Sequence, residues 1–370
     1  MDRWKIYRLA LKLMPVRREK ADREMPESVK KVLRANRVMG ASLAEFDGQG
    51  VEDLYCYGRA RKNTPVTRET RFRTASVSKH ITALCCMKLY EQGRLDLEMD
   101  ISDALGFTVR HPAAPETPIT LKMLLSHTAG IRDGETYNRL LGTDADLEKV
   151  LQGDSFTEHL PGEKWEYSTL GAGIVGCVLE GVTGMNFDSL MRETVFEPLG
   201  VTASFYPQRL GEPLADAWRV LPRAKTPGYN AEERLTRPLP RDCADTRHNW
   251  ALAHGNLCIT ARELALLGHA LMRPGYLKES TLEMMRTVIA PFGARARNLS
   301  EGIGTFVLKD PGIARNVIYG HQGLAYGAVN GLFYDPLTQR GFAVLTTGCS
   351  EARNGVLTDM NAELIRLLIG

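Results

Sequence analysis

The stretch FRTASVSKHITALCCMKLYEQG, residues 72–93, decides how this 370-residue chain reads. From Ser78 onward, Ile81, Leu84, Cys85, Met87 and Leu89 recur at helical spacing, and Gly93 stands where a left-handed cap ends a helix. Ser76 is therefore predicted at a helix N-terminus, with Lys79 one turn on along the same face. A serine hydroxyl is a weak nucleophile until a base takes its proton, and lysine serves as that base only with a depressed pKa. Burial and the positive end of the helix dipole both disfavour the ammonium, and free backbone N–H groups at a helix start suit an oxyanion. The competing account makes Ser76 a helix cap and Lys79 a solvated side chain. A Ser-x-x-Lys spacing alone does not choose between the two.

Outward from this helix, Val38 to Arg59 alternates in strand fashion around Asp47-Gly48-Gln49-Gly50 and reads as a hairpin. The middle of the chain carries helix signals at Leu121 to His127, Leu147 to Leu151, Gly171 to Gly181 and Phe187 to Phe196. Residues 207–245, rich in prolines and charges, read as an extended surface loop. Ala261 to Met272 reads as a helix, and strands return at Ile303 to Lys309, Val317 to Gly320, Val329 to Tyr334 and Phe342 to Thr347. Glu351 to Leu368 reads as a closing helix. Strands at both ends with helices between predict an α+β fold: one antiparallel sheet built from both chain ends, flanked by helices, with a mostly helical domain inserted. The expected division is 1–25 as a basic amphipathic segment, 26–95 with 261–370 as the sheet domain, and 96–260 as the insertion. Sites favour the cleft that such a layout creates.

Composition narrows the function. With 44% hydrophobic and 25% charged residues the chain is an ordinary globular protein, and a formal charge of +3 gives no reason to expect nucleic acid. Seven cysteines, at 56, 85, 86, 177, 243, 258 and 349, are odd in number and scattered through apolar runs, which predicts reduced thiols and a cytoplasmic setting. The eight histidines show no metal-ligand spacing, so neither a metal nor an organic cofactor is expected. In Met1 to Met14, basic residues interrupt the apolar face. No signal core or membrane span of about 20 apolar residues results. Contact with an anionic membrane surface, or packing against protein, are both open to this segment.

Three further motifs could carry chemistry. Gly171-Ala-Gly173-Ile-Val-Gly176 has the glycine spacing of a dinucleotide loop, but a turn-like lead-in from Pro161 to Thr169 stands where a strand is needed. Small residues for close helix packing are the better account. Tyr167, just before that helix, could relay a proton, or simply be a buried tyrosine. His321-Gln322-Gly323-Leu324 could orient a substrate, with Gly323 admitting close approach, or form an ordinary turn.

Taken in order, Ser76-x-x-Lys79, Tyr167-Ser-Thr169 and His321-x-Gly323 resemble the serine β-lactamase and penicillin-binding-protein superfamily. The nearest likeness is to its class C β-lactamase-like branch, which includes D-amino-acid peptidases and esterases. Leu124 to Ile131, and Gly255-Asn256-Leu257 running into Thr260 to Leu264, extend the likeness over roughly residues 30–370. The resemblance implies that Ser76 is acylated, Lys79 activates it, and Tyr167 passes the proton to the leaving group. It further implies an oxyanion hole of the Ser76 and Leu324 backbone N–H groups, with His321, Gly323 and Thr169 bordering the substrate. Thr169 replaces the usual asparagine and His321 the usual lysine, which points towards a peptidase or esterase rather than an efficient β-lactamase. The substrate would be a small molecule or peptide: a D-peptide, a small ester or a β-lactam-like compound. A non-catalytic binding or assembly protein on the same fold is the alternative.

Overall fold

The computed structural model describes residues 24–370 except 221–224, 294, 295, 297 and 354, so Met1 to Met14 lies outside the described residues. Its frame is a nine-stranded antiparallel sheet: β1 Gly40–Asp47, β2 Gly50–Arg61, β3 Thr64–Pro65, β4 Ala290–Pro291, β5 Leu299–Glu301, β6 Phe306–Leu308, β7 Ile318–Ala325, β8 Ala328–Asp335 and β9 Arg340–Thr347. The spatial order β4-β5-β6-β7-β8-β9-β1-β2-β3 joins the two chain ends through β1 and β9, with Gly40 opposite Thr347 and Asp47 opposite Arg340.

Alternation along the strands divides the core. Ala44, Phe46, Leu332, Tyr334, Ala343 and Leu345 are buried on one face, against helices α2 (Val77–Glu91) and α4 (Ala261–Met272). Ala41, Leu43, Val329, Phe333, Phe342 and Val344 are buried on the other, under α1 (Glu27–Ala35) and α5 (Asp359–Leu368). A capping box, with Thr260 and Glu263 exchanging hydrogen bonds, starts α4 where the sequence places it.

Between the sheet halves lies a largely helical stretch whose longest member is α3 (Thr169–Thr183). Its glycines are packing positions. A Cβ on Gly173 would stand 1.8 Å from the Trp250 carbonyl oxygen, and one on Gly181 would stand 2.0 Å from that of Ala104. The element before α3 is the helix Leu147–Leu151 and no strand leads directly into it, so the dinucleotide reading loses both its lead-in and its open glycine face.

Two expectations need correction. Residues 207–245 are not one extended loop: they hold a hairpin pairing Ala217–Val220 with Lys225–Tyr229, and a short helix Ala231–Thr236 capped by Asn230. The closing helix begins at Asp359 rather than Glu351, because the Thr358 side chain accepts from the Asn361 N–H and fixes the start there. Among the described residues no single helix is long and apolar enough to cross a membrane. A bent pair, Thr169–Thr183 with Phe187–Phe196, passes by length and composition, but α3 is buried in the core.

Candidate active site

Helix α2 is buried from Val77 to Leu89 on every face rather than along one stripe, and its polar side chains are each answered inside the protein. Thr82 Oγ1 donates to the Ser78 carbonyl at 2.9 Å, and Nδ1 of His80 lies 2.7 Å from the Gly304 carbonyl oxygen. The turn before the helix is held from two sides. Ser78 Oγ donates to the Ala75 carbonyl at 2.7 Å and meets Thr74 Oγ1 at 2.9 Å, and the Leu257 N–H donates to the same Ser78 oxygen at 3.2 Å. Ala75 adopts φ 51°, a left-handed conformation costly for a residue with a Cβ. This strained residue immediately precedes Ser76.

Ser76 occupies the cap position of α2, yet its side chain makes no capping hydrogen bond. Its Oγ lies 2.9 Å from Nζ of Lys79, whose amine also donates to the His254 carbonyl oxygen at 2.7 Å. Lys79 is 5% exposed, so it is not the solvated first-turn side chain of the competing account. Burial lowers its pKa to about 7, and the nearby Arg73 guanidinium pushes the same way, against the carboxyls of Asp133 and Glu301. A large fraction of the amine is therefore neutral near pH 7.

Tyr167 stands on the other side of the hydroxyl. Its ring centroid is 5.1 Å from Lys79 Nζ, burial raises its phenol pKa, and hydrogen bonding to Ser76 opposes that rise. The phenol thus stays protonated near pH 7, where a large fraction of the neighbouring amine is neutral. His127, itself at φ 55°, packs its ring 4.5 Å from that of Tyr167 and accepts the Ser168 N–H at Nδ1. Asp133 Oδ1 accepts from the Leu170 N–H at 2.8 Å and meets Ser168 Oγ at 3.1 Å, which fixes the segment carrying Tyr167 and Thr169.

The fourth wall is β7. A Cβ on Gly323 would lie 2.2 Å from the Thr74 carbonyl oxygen and 3.0 Å from the Ser76 nitrogen, so only glycine lets the strand reach the nucleophile turn. Leu324 follows directly. His321 lies deeper than a substrate-facing residue would: it is 1% exposed and stacks on Phe306 at 4.1 Å. Its Nδ1 is 2.6 Å from the Gln322 carbonyl oxygen, which makes Nδ1 the donor. Burial, reinforced by Lys79, holds its pKa well below the usual histidine value, so it supplies no fixed positive charge. With Lys79 and His127 it lines a small pocket.

Sequence reasoning left three participants without a role: the His254 carbonyl, Asp133, and Glu301, whose fully buried carboxyl has no hydrogen-bond partner and is raised well above its usual range by burial. His254 directly adjoins the Gly255-Asn256-Leu257 stretch, while Asp133 and Glu301 lie just outside the Leu124 to Ile131 and Ile303 to Lys309 stretches. These two are single acids whose neighbourhood arises from the fold.

The chain is 28% identical over 356 residues to penicillin-binding protein 4 of Amycolatopsis lactamdurans, covering 90% of this chain and 86% of that protein. It is 28% identical over 325 residues to esterase EstB of Burkholderia gladioli, covering 80% and 81%. Among solved structures, EstCE1, described as a hydrolase with promiscuous acyltransferase activity, superposes with a TM-score of 0.75 over 93% of this chain and 98% of its own, at 23% identity. The family model described as Beta-lactamase matches residues 26–366, and the chain belongs to that family.

Proposed function

We propose that this chain is a serine hydrolase of the β-lactamase-related type that cleaves a small ester or peptide-like amide through an acyl-enzyme on Ser76. The observation that carries the reading is the uncapped Ser76 hydroxyl 2.9 Å from a buried amine whose pKa is about 7. A helix cap would spend that hydroxyl on the backbone; here it faces a base.

In the forward reaction, neutral Lys79 takes the Ser76 proton as Oγ attacks the carbonyl carbon. The negative charge that develops on the carbonyl oxygen is met by the backbone N–H groups of Ser76 and Leu324, which Gly323 brings together. The proton held on Lys79 reaches the departing oxygen or nitrogen through the Tyr167 phenol, which gives up its own proton and takes the lysine's. Water then attacks the acyl-enzyme as its proton passes back along the same path, freeing the acid and returning Ser76. No step requires a cofactor. None of the seven cysteines is held in a disulfide, which supports a reducing compartment such as the cytoplasm.

Exposure to a fluorophosphonate, followed by intact mass spectrometry, tests the assignment. The wild-type chain is expected to gain one covalent adduct and Ser76→Ala none. An adduct of equal yield on Ser76→Ala would show that another residue is the nucleophile, and no adduct on either would favour a binding protein on the same fold.

A further inference from the structure

Arg73, three residues before the nucleophile, is a partly buried guanidinium that no carboxylate answers among the described residues. Its Nε donates to Asn256 Oδ1 at 3.1 Å, and its guanidinium carbon stands 5.9 Å from the Tyr229 ring centroid and 5.5 Å from that of Tyr326. Arg219 approaches the Tyr326 ring at 5.2 Å, and Arg234 the Tyr229 ring at 5.2 Å. Neighbouring acids are committed elsewhere: Glu233 pairs with Arg237, Asp216 accepts from the Ala231 N–H, and Glu351 accepts from the Gly327 N–H. Three like charges gathered around two aromatic rings repel one another. That arrangement is favourable when an anion joins them.

The cluster adjoins the reacting centre. A Cβ on Gly255 would lie 3.1 Å from Arg73 Nη2 and 3.5 Å from the Ala75 carbonyl carbon, so the guanidinium and the peptide leading into Ser76 border the same point. Strand β7 passes Ser76 at Gly323 and runs on to Tyr326, whose φ of 56° turns it at the hairpin tip. Two residues before Gly323 on β7, His321 belongs to a continuous aromatic wall. Phe306 stacks on it at 4.1 Å, Phe292 meets Phe306 at 5.2 Å, Trp165 stacks on Phe292 at 4.0 Å, and Tyr167 lies 6.3 Å from Trp165. A leaving group protonated by Tyr167 departs on the side of that wall. That leaves the side bordered by Arg73 and Tyr326 for the acyl portion in the proposed reaction.

We propose that Arg73, Arg219 and Arg234, with Tyr229 and Tyr326, form an acyl-side subsite that selects substrates whose acyl group ends in a carboxylate. The proposal rests on the serine-hydrolase reading and deepens it. A guanidinium fork matches a carboxylate in two parallel hydrogen bonds, and the flanking ring faces hold the fork in place. With His321 neutral, Arg73 supplies a fixed cation beside the turn that carries the nucleophile. The paired segments Ala217–Val220 and Lys225–Tyr229, which carry two members of the cluster, become the elements that set specificity.

The test compares p-nitrophenyl hydrogen glutarate with its methyl-capped, uncharged counterpart. At low salt, kcat/KM should favour the anionic ester by about tenfold or more, the range expected for a charged hydrogen bond. That ratio should fall close to one in Arg73→Gln and by about threefold in Arg219→Glu, whose side chain is exposed and whose reversal leaves the core intact. A wild-type ratio of one or less overturns the proposal, as does a full ratio in Arg73→Gln. Should Arg73→Gln fail to fold by circular dichroism, an unmoved ratio in Arg219→Glu overturns it instead. Calorimetric titration of Ser76→Ala with both esters separates this proposal from the one beneath it. Tighter binding of the anionic ester supports the subsite whether or not turnover occurs, equal binding rejects it, and absence of wild-type turnover on both esters counts only against the hydrolase reading.

Discussion

Gly323→Ala isolates the contact that brings β7 to the nucleophile. The added Cβ would sit 2.2 Å from the Thr74 carbonyl oxygen and 3.2 Å from the Ala75 Cβ, whereas carbon and carbonyl oxygen ordinarily approach no closer than about 3.3 Å. Strand and turn must therefore separate by about 1 Å, and the Leu324 amide moves away from that of Ser76 by a similar distance. Misplacement of that size costs on the order of 100-fold in rate, and loss of one oxyanion donor about 100- to 1000-fold. Overpacking adds about 1–3 kcal/mol of destabilisation, which leaves a protein of this size folded. The assay is hydrolysis of a p-nitrophenyl ester with a thermal melt on the same sample. We expect kcat to fall at least 100-fold while the melt stays cooperative. A kcat within about threefold of wild type would show that Gly323 does not set the oxyanion geometry, and that the Ser76 and Leu324 amides do not act as a pair.

The pH profile follows from Lys79. Only the neutral amine accepts a proton, so kcat/KM should drop about tenfold for each pH unit below 7 and level off above it; a limb near the ordinary lysine value of 10.5 would exclude Lys79 as the base. Tyr167→Phe keeps the ring that packs on His127 and removes the phenol, so ester turnover should fall about 100-fold or more with little change in melting temperature. A rate close to wild type would assign the proton transfer elsewhere. Gly173→Ala, which drives a Cβ to 1.8 Å from the Trp250 carbonyl, should destabilise the fold by about 3 kcal/mol, and dinucleotide added to wild type should leave its melt unchanged. Stabilisation by dinucleotide would revive the glycine-loop reading.

The frame was legible because its signals are local. Alternating strands around Asp47-Gly48-Gln49-Gly50, the Thr260 and Glu263 pair before α4, and the α2 periodicity each declare an element within a dozen residues. The Ser76–Lys79 relation was legible for the same reason, one turn of helix. Residues 217–229 escaped because a short hairpin among charges and prolines carries too few apolar positions to show a period of two, and its stability comes from contacts such as the Trp218 N–H on Thr347 Oγ1. The depth of His321 was equally hidden. Its sequence slot suggests a substrate-facing residue, whereas stacking on Phe306 draws the ring into the wall. Asp133 and Glu301 carry no motif at all, since their nearness to Lys79 arises only when segments more than 50 residues distant close around it.

The pairing of β1 with β9 has a consequence for synthesis. A growing polypeptide exposes Ser76 and Lys79 early, but the partner for residues 40–47 arrives only with residues 340–347, and the Leu324 amide not much before. Until then α2 lacks the sheet it packs against, and its amine stands in water with an ordinary lysine proton affinity. The sheet beneath the Ser76–Lys79 turn therefore cannot close until residues 340–347 have been made.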